Sequence, residues 1–325
     1  MSSLQYTSEL LDAVLFSAGE ITTDGSSDFE SHALRMLNRA YRAVCNGGSD
    51  LDPSVREDWW FLHKTPPGVL TLLPAVSAGT ATVTHNSTSV TLSTGPALDM
   101  DGYFFQVLTH SDVFRVSAHT AGGTAVTLDS VYTGPSGSGL AYRLVKLEYD
   151  LASDVIRLHK PMRCYRPTGY TLDNYEIRGM DLSDMERDYP VAVVEAGTPD
   201  RFAPVGETKV RFNRYGGTAS TDLIRVEYDY IYRPAELTNS GSQEPVLPLE
   251  RRTILVDYAL SLLMDDKDDD RSTGRLELAR RGLLSMQLDN RHRMAFQNPN
   301  AGRVIPRGAT TRTRPVRTSS GLIIG

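Results

Sequence analysis

A chain of 325 residues with 40% hydrophobic and 23% charged residues has apolar material for about two cores and is excluded from the wholly disordered class. The net charge of −6 hides an asymmetry: Ala301 to Gly325 holds five arginines (Arg303, Arg307, Arg312, Arg314, Arg317) and no acid, which leaves 29 basic against 40 acidic residues, or −11, elsewhere. So acidic a body is excluded as a surface that grips nucleic acid, and the basic tail points to a partner of its own.

The first predicted element is a helix over 8–19, where Leu10, Leu11, Val14 and Leu15 recur at helical spacing and Glu9 and Asp12 suit the positive end of the helix dipole. A second helix over 28–45 opens on Ser27-Asp28-Phe29-Glu30, a capping-box pattern, and Asn46-Gly47-Gly48 stops it. Phe29, Ala33, Met36, Leu37, Ala40, Tyr41 and Val44 give it one apolar face, so the pair is expected to form a helical hairpin.

After Trp59-Trp60-Phe61 the composition turns to Thr, Ser, Val and Gly. Val69 to Leu73 reads as a strand, and Ala81–Thr84 with Ser89–Leu92 reads as a hairpin around His85-Asn86-Ser87-Thr88. Tyr103–Leu108, Val113–Ala118, Ala125–Leu128 and Tyr142–Tyr149 are further strands, which predicts an inserted small barrel or sandwich over 75–151. Gly134-Pro-Ser-Gly137-Ser-Gly139 reads as a hairpin turn. A second, antiparallel β region is expected over 155–233. Its clearest strand, Asp222 to Arg233, sets Ile224, Val226, Tyr228, Tyr230 and Tyr232 against Arg225, Glu227, Asp229 and Arg233.

Helix is expected to return at Pro248, with segments over 249–264 and 273–293 separated by the acidic link Asp265 to Asp270. Together these elements predict an α+β fold. Residues 1–74 and 152–300 form the body, N- and C-terminal helical hairpins share one layer, and 301–325 is an extended basic arm.

Chemistry is sparse. No His-Glu-x-x-His, Walker, Gly-x-Gly-x-x-Gly or Gly-x-Ser-x-Gly pattern occurs in a suitable setting, so no catalytic residue and no cofactor is expected. Asp266, Asp268 and Asp270, with Glu277 at the twelfth position, have the carboxylate spacing of a calcium loop. Arg271 stands where that loop needs glycine, and a solvated acidic link is the competing reading. The seven histidines show no metal spacing. Cys45 and Cys164 are too far apart in sequence to suggest a disulfide framework, and no export signal or bilayer-length apolar run is read, so synthesis in a cytoplasm is expected. Trp59-Trp60-Phe61 and the tyrosine stripe read either as a stacking platform for sugars or bases or as core between layers or subunits, and the absence of interleaved basic residues favours the core.

Three segments resemble the head-to-tail adaptor (connector) proteins of tailed bacteriophages. One is the helical pair ending in Leu34-x-x-Leu37-Asn38-Arg39-Ala40-Tyr41. Another runs from Ala78-Gly79-Thr80 through Ser87-Thr88-Ser89-Val90-Thr91 to Tyr142-x-x-Val145 and Glu148-Tyr149, and is similar to a β module inserted in several phage virion proteins. The last is Val226-Glu-Tyr-Asp-Tyr-Ile-Tyr232-Arg233-Pro234, followed by Pro245-Val-Leu-Pro248 and a helix rich in Leu, Tyr and Ala. The resemblance implies a structural virion protein at the head–tail junction, forming a ring, usually of twelve copies. Its partners would be the portal and tail, nozzle or fibre proteins, with DNA passing through the channel unread. The arginine arm, with Leu322, Ile323 and Ile324 as anchors, would then meet a partner such as the portal. A tail-completion or tail-tube ring and a glycan- or host-recognition module are the competing readings.

Overall fold

The computed structural model describes residues 4–19, 27–159, 161–165, 175–217, 223–267 and 269–297, with the short strands at 316–317 and 323–324. Two helices come first, α1 (Thr7–Ser17) and α2 (Ser27–Cys45). Nine strands follow: β1 (Gly68–Leu72), β2 (Ala81–Val83), β3 (Ser89–Leu92), β4 (Phe104–Val107), β5 (Val113–His119), β6 (Ala125–Leu128), β7 (Gly137–Leu140), β8 (Tyr142–Val145) and β9 (Glu148–Asp150). Next come β10 (Val155–Leu158), β11 (Met162–Tyr165), β12 (Tyr175–Gly179), α3 (Leu182–Asp188), β13 (Arg201–Val205), β14 (Lys209–Phe212), β15 (Ile224–Tyr228) and β16 (Tyr230–Tyr232). The described chain closes with α4 (Thr253–Asp265), α5 (Ser272–Gln297), β17 (Val316–Arg317) and β18 (Ile323–Ile324), the last two paired antiparallel. This mixed α/β chain packs as two compact units, Met1–Phe61 with Ala235–Gly325, and Leu62–Pro234. Among the described residues no helix is long and apolar enough to cross a membrane.

The first unit joins the two ends of the chain. Leu10, Leu11 and Val14 of α1, Leu37 and Val44 of α2, Leu255 and Leu263 of α4, and Leu283 and Met286 of α5 are all buried. α4 is the hub, packing against α1, α2 and α5. Gly282 lets α5 come close, because a Cβ there would lie 2.6 Å from Ile254 Cγ1. A mid-helix glycine costs about 1 kcal/mol in propensity, so this approach has to compensate for it. Glu9 starts α1: its carboxylate accepts from the amides of Gln5 at 2.6 Å and Tyr6 at 3.1 Å.

Polar side chains fasten backbone segments that come from opposite ends of the sequence. Asn38 Nδ2 donates to the Leu237 carbonyl at 2.9 Å and Asn38 Oδ1 accepts from the Leu237 amide at 2.8 Å, both within the buried region. Glu57 accepts from Gln287 Nε2 and Asn290 Nδ2, each at 2.9 Å, and from Arg291 Nε at 3.1 Å. Trp59 is fully buried and its indole N–H donates to the Val44 carbonyl at 2.6 Å.

The second unit holds two curled sheets. One has the order β7-β2-β3-β6-β5-β4-β8, and its two edge strands are consecutive in the chain with only Ala141 between them. That link makes the sheet roll into a nearly closed barrel around Phe105, Tyr103, Tyr142, Leu144 and Val90. Strands β2, β3 and β6 alternate buried with exposed residues, as one-sided packing requires. The other sheet, β1-β15-β11-β12-β13-β14-β9, also curls: Leu73, just past β1, donates its amide to Tyr149 Oη of β9 at 2.9 Å. The Gly216 amide donates to the Leu73 carbonyl at 2.9 Å, and a Cβ on Gly216 would lie 2.5 Å from the Leu72 carbonyl oxygen. Arg143 ties this unit inward by donating to the carbonyls of Val191, Ala192 and Val194.

The structure corrects several expectations. The strand read from Asp222 to Arg233 breaks at Asp229; β15 lies in the sheet with β1 and β11, whereas β16 forms a separate two-stranded ladder with β10 and bridges to His63. Tyr230 and Ile231 are therefore both buried, which an unbroken alternation forbids. Tyr142–Tyr149 likewise splits, β8 closing the small barrel and β9 joining the other sheet. The supposed turn at Gly134–Gly139 contributes β7, an edge strand whose Gly-Ser-Gly sequence has no periodicity to read. The β region is not wholly antiparallel, since β12 and β13 run parallel, and α3 within it was not anticipated. Pro248 precedes a 3₁₀ turn (Leu249–Arg251), so α4 starts later than expected, and α5 runs past residue 293. The Ser27 side chain lies outside the described residues, while the Glu30 carboxylate accepts from Asn239 Nδ2.

Replacing Asn38 with Leu leaves the Leu237 amide and carbonyl without partners in a buried site. Asn38→Leu is expected to lower unfolding free energy by about 2–4 kcal/mol, measured as a lower urea midpoint with an unchanged slope.

Candidate interaction surface

α5 is the longest helix described, with 26 residues and a length of about 39 Å. Its buried face, with Ala279, Leu283, Met286 and Asn290, packs on the first unit's core. Large apolar residues also occupy its outer side: Leu278, Leu284 and Leu288 are 48%, 41% and 58% exposed. Leu276, Arg280, Leu284 and Leu288 follow one another at i, i+4 spacing, so they form a single ridge along the helix. Charged pairs flank it: Arg281 with Glu277 at 3.2 Å, and Arg251 with Asp289.

The N-terminal end of that ridge enters a pocket of about 250 Å³ within the first unit. Asp50, Leu51, Tyr258, Asp265, Leu276 and Arg280 line it, with Ser261 at its base. The volume is below the range of about 300–1,000 Å³ usual for drug-sized ligands, and suits one or two side chains. Arg280 Nε donates to the Leu51 carbonyl at 3.2 Å, which fixes the loop after α2 against α5. Burial raises the Tyr258 phenol's pKa, so the hydroxyl keeps its proton at neutral pH.

The carboxylates with calcium-loop spacing do not converge among the described residues. Asp266 lies 3.2 Å from His32 Nε2, and Glu277, a turn into α5, pairs with Arg281. Asp270 is exposed, and Asp268 lies outside the described residues. The intervening Asp269 has its pKa held down to about 2 by hydrogen bonds from Arg271, the residue that stands where a calcium loop carries glycine. Among the described residues no group of three or more His, Cys, Asp or Glu is placed to hold a metal. Of the arm, Arg303, Arg307, Arg312, Arg314 and Leu322 lie outside the described residues; Arg317, Ile323 and Ile324 are described only as backbone of β17 and β18.

The aromatic run divides by role. Trp59 is core, while Trp60 and Phe61 are half-buried and meet edge to face, with the Arg293 guanidinium 4.4 Å from the Trp60 ring centroid. Burial pushes the Cys45 thiol pKa far up, which makes it a poor nucleophile, and Cys164 is also buried.

Sequence spacing missed one histidine pair. His63 and His159 lie with ring centroids 4.0 Å apart and planes tilted by 49°, because His63 bridges to Ile231 while β10, ending just before His159, pairs with β16. Beside them Asp154 Oδ2 accepts from Lys64 Nζ at 2.9 Å and Oδ1 accepts from Tyr230 Oη at 3.0 Å. Burial alone would raise the Asp154 pKa, and the bonds from Lys64 and Tyr230 together outweigh it, so the group titrates below its usual value. Sequence likewise gave no sign of the pocket, whose walls come from three separate segments. Compared with known proteins, the chain matches no family model and no curated sequence.

A carboxyl whose folded pKa is depressed adds stability that is present above its unfolded value of about 3.9 and is lost as pH falls through the lower folded value. Thermal midpoints should therefore drop on acidification below about pH 4, and Asp154→Asn should shrink that drop while lowering the midpoint at neutral pH. Identical acid limbs in the two proteins would count against the Asp154 assignment.

Proposed function

We propose that this chain is a structural virion protein, a ring-forming head-to-tail adaptor that joins a portal to a tail and surrounds the path of DNA. The observation that carries the reading is the outer ridge of α5, where Leu284 and Leu288 stand exposed beside the exposed Leu278 on a helix whose opposite side is already committed to the core. A helix apolar on both sides has a second surface to bury, and another copy of the same chain is the partner that a closed ring supplies. The resemblance of the N-terminal helical pair, the β module and the proline-bounded segment before α4 supports the same reading. So does the first unit, in which the two ends of the chain share one core around α4.

The charge distribution fits passage of DNA without adhesion. A body at −11 repels phosphate, while the arm's five arginines are set aside for a protein partner. The described mixed α/β fold and the helical layer belong to this reading as the scaffold, the small barrel as a peripheral module, and the virion as the location. A tail-completion or tail-tube ring shares the same physics and is separated by which neighbour the ring binds.

Negative-stain electron microscopy of the purified protein with its portal is expected to show closed rings stacked coaxially. Leu284→Glu with Leu288→Glu should weaken self-association at least about tenfold in sedimentation velocity while leaving the thermal midpoint within a few degrees. Rings that form as readily in the double variant would remove α5 as the contact.

A further inference from the structure

The pocket and the arm stand at opposite ends of α5. Ser272, Thr273, Leu276 and Arg280 at the start of the helix contribute to the pocket, and the arm follows Gln297 at its other end, roughly 35 Å away. A binding surface at one end of an element and its ligand at the other is the layout of a head-to-tail contact, in which each copy reaches the next and the series closes into a ring.

The chemistry of the pocket is specific. Asp50 and Asp265 face it, and neither has an ion-pair partner among the described residues. Their neighbours Asp266 and Asp269 are already engaged with His32 and Arg271. Among the lining residues the one cation is Arg280, part of whose donor capacity is spent on the Leu51 carbonyl, and the Arg39 charge also acts on Tyr258 from beyond the lining. Tyr258 is only 7% exposed, lines the pocket, and its hydroxyl has no hydrogen-bond partner among the described residues. Two exposed carboxylates, three leucines (Leu51, Leu262 and Leu276) and the unpartnered Tyr258 hydroxyl together suit a ligand that is cationic, offers several N–H donors and carries an apolar stem. An arginine side chain has all three properties.

The sequence supplies such a ligand. Arg303, Arg307, Arg312 and Arg314 are spread over a stretch without acids that also contains Val304 and Ile305. The 18 residues from 298 to 315 reach at most about 60 Å when extended, enough to cross to a neighbouring copy. We propose that the arm of one copy docks on the next, an arginine entering the pocket between Asp50 and Asp265 and apolar arm residues following the ridge of Leu284 and Leu288. The inference deepens the ring reading and depends on it for the second copy. It assigns the arm a partner within the ring.

The test uses the full-length chain with Arg303, Arg307, Arg312 and Arg314 all changed to Glu, so that its own arms do not compete. A fluorescent peptide of residues 301–315 is expected to bind this protein, and Asp50→Lys with Asp265→Lys should weaken binding at least about tenfold. Asp50→Asn with Asp265→Asn, which keeps the shape of the walls, should weaken it in the same direction. Peptide binding that ignores both pairs of substitutions, or no binding, overturns the proposal. In an otherwise unaltered chain, Asp265→Cys protein mixed with Arg307→Cys protein should form disulfide-linked dimers. The double variant giving only monomers with an internal disulfide would show the arm docking on its own copy and sink the head-to-tail form. The ring reading fails separately: rings that assemble while the peptide does not bind retain the adaptor and reject the docking. A chain that stays monomeric at every concentration yet binds the peptide rejects the ring and retains the pocket.

Discussion

Arg252 holds the first unit in register. Its guanidinium is 5% exposed and donates to the carbonyls of Leu247, Pro245, Leu4 and Gln5, which come from two stretches of chain more than 200 residues apart. It does so at the N-terminus of α4, where the helix dipole disfavours a cation, so the four carbonyls, with the Glu244 carboxylate 3.6 Å away, have to offset both that field and the loss of hydration. The bonds to Leu4 and Gln5 fix the N-terminal segment against α4, next to the α1 residues Leu10, Leu11 and Val14 that are buried. Asn38 and Glu57 repeat the device: each satisfies backbone or amide groups of the distant C-terminal segment with a side chain from the N-terminal one.

The consequence for function lies on the opposite side of the same helices. α4 is packed by α1, α2 and α5, and among the described residues the outer leucines of α5 stay exposed. Tight packing between α4 and α5 at Gly282 also sets where the start of α5 meets the loop carrying Asp50 and Leu51. The pocket is thus a by-product of the core geometry, and its two unpaired carboxylates are what turn a surface dimple into a site of defined chemistry.

In the β unit, closure rather than local preference decides the layout. A rolled sheet must bring its edge strands together, and both sheets do so with short local devices: Ala141 between β7 and β8, and the contacts of Leu73 with Tyr149 and Gly216. Closure removes the exposed edges that β-rich proteins otherwise have to protect. It also explains why Tyr142–Asp150 and Ile224–Tyr232 each look continuous in sequence yet are divided between ladders.

The sequence by itself determined α1, α2, α4 and α5 apart from their ends, though not the short α3, because a period of 3.6 with punctuation at Asn46-Gly47-Gly48 leaves little alternative for α2. It also determined the hairpin β2–β3, where alternation and the left-handed Asn86 (φ 60°) agree. Charge asymmetry singled out the arm for the same reason, since formal charge needs no fold to be counted. Only the tertiary structure decided which strand pairs with which, because alternation fixes a face and says nothing about the partner. Only packing could bring His63 to His159, or Asp50 to Asp265 beside Tyr258, since these contacts join residues separated by roughly 95 to 215 positions and no local pattern encodes them. The long helix shows both halves of this: its leucines were legible as apolar residues, and only the burial of one side revealed which of them stay exposed.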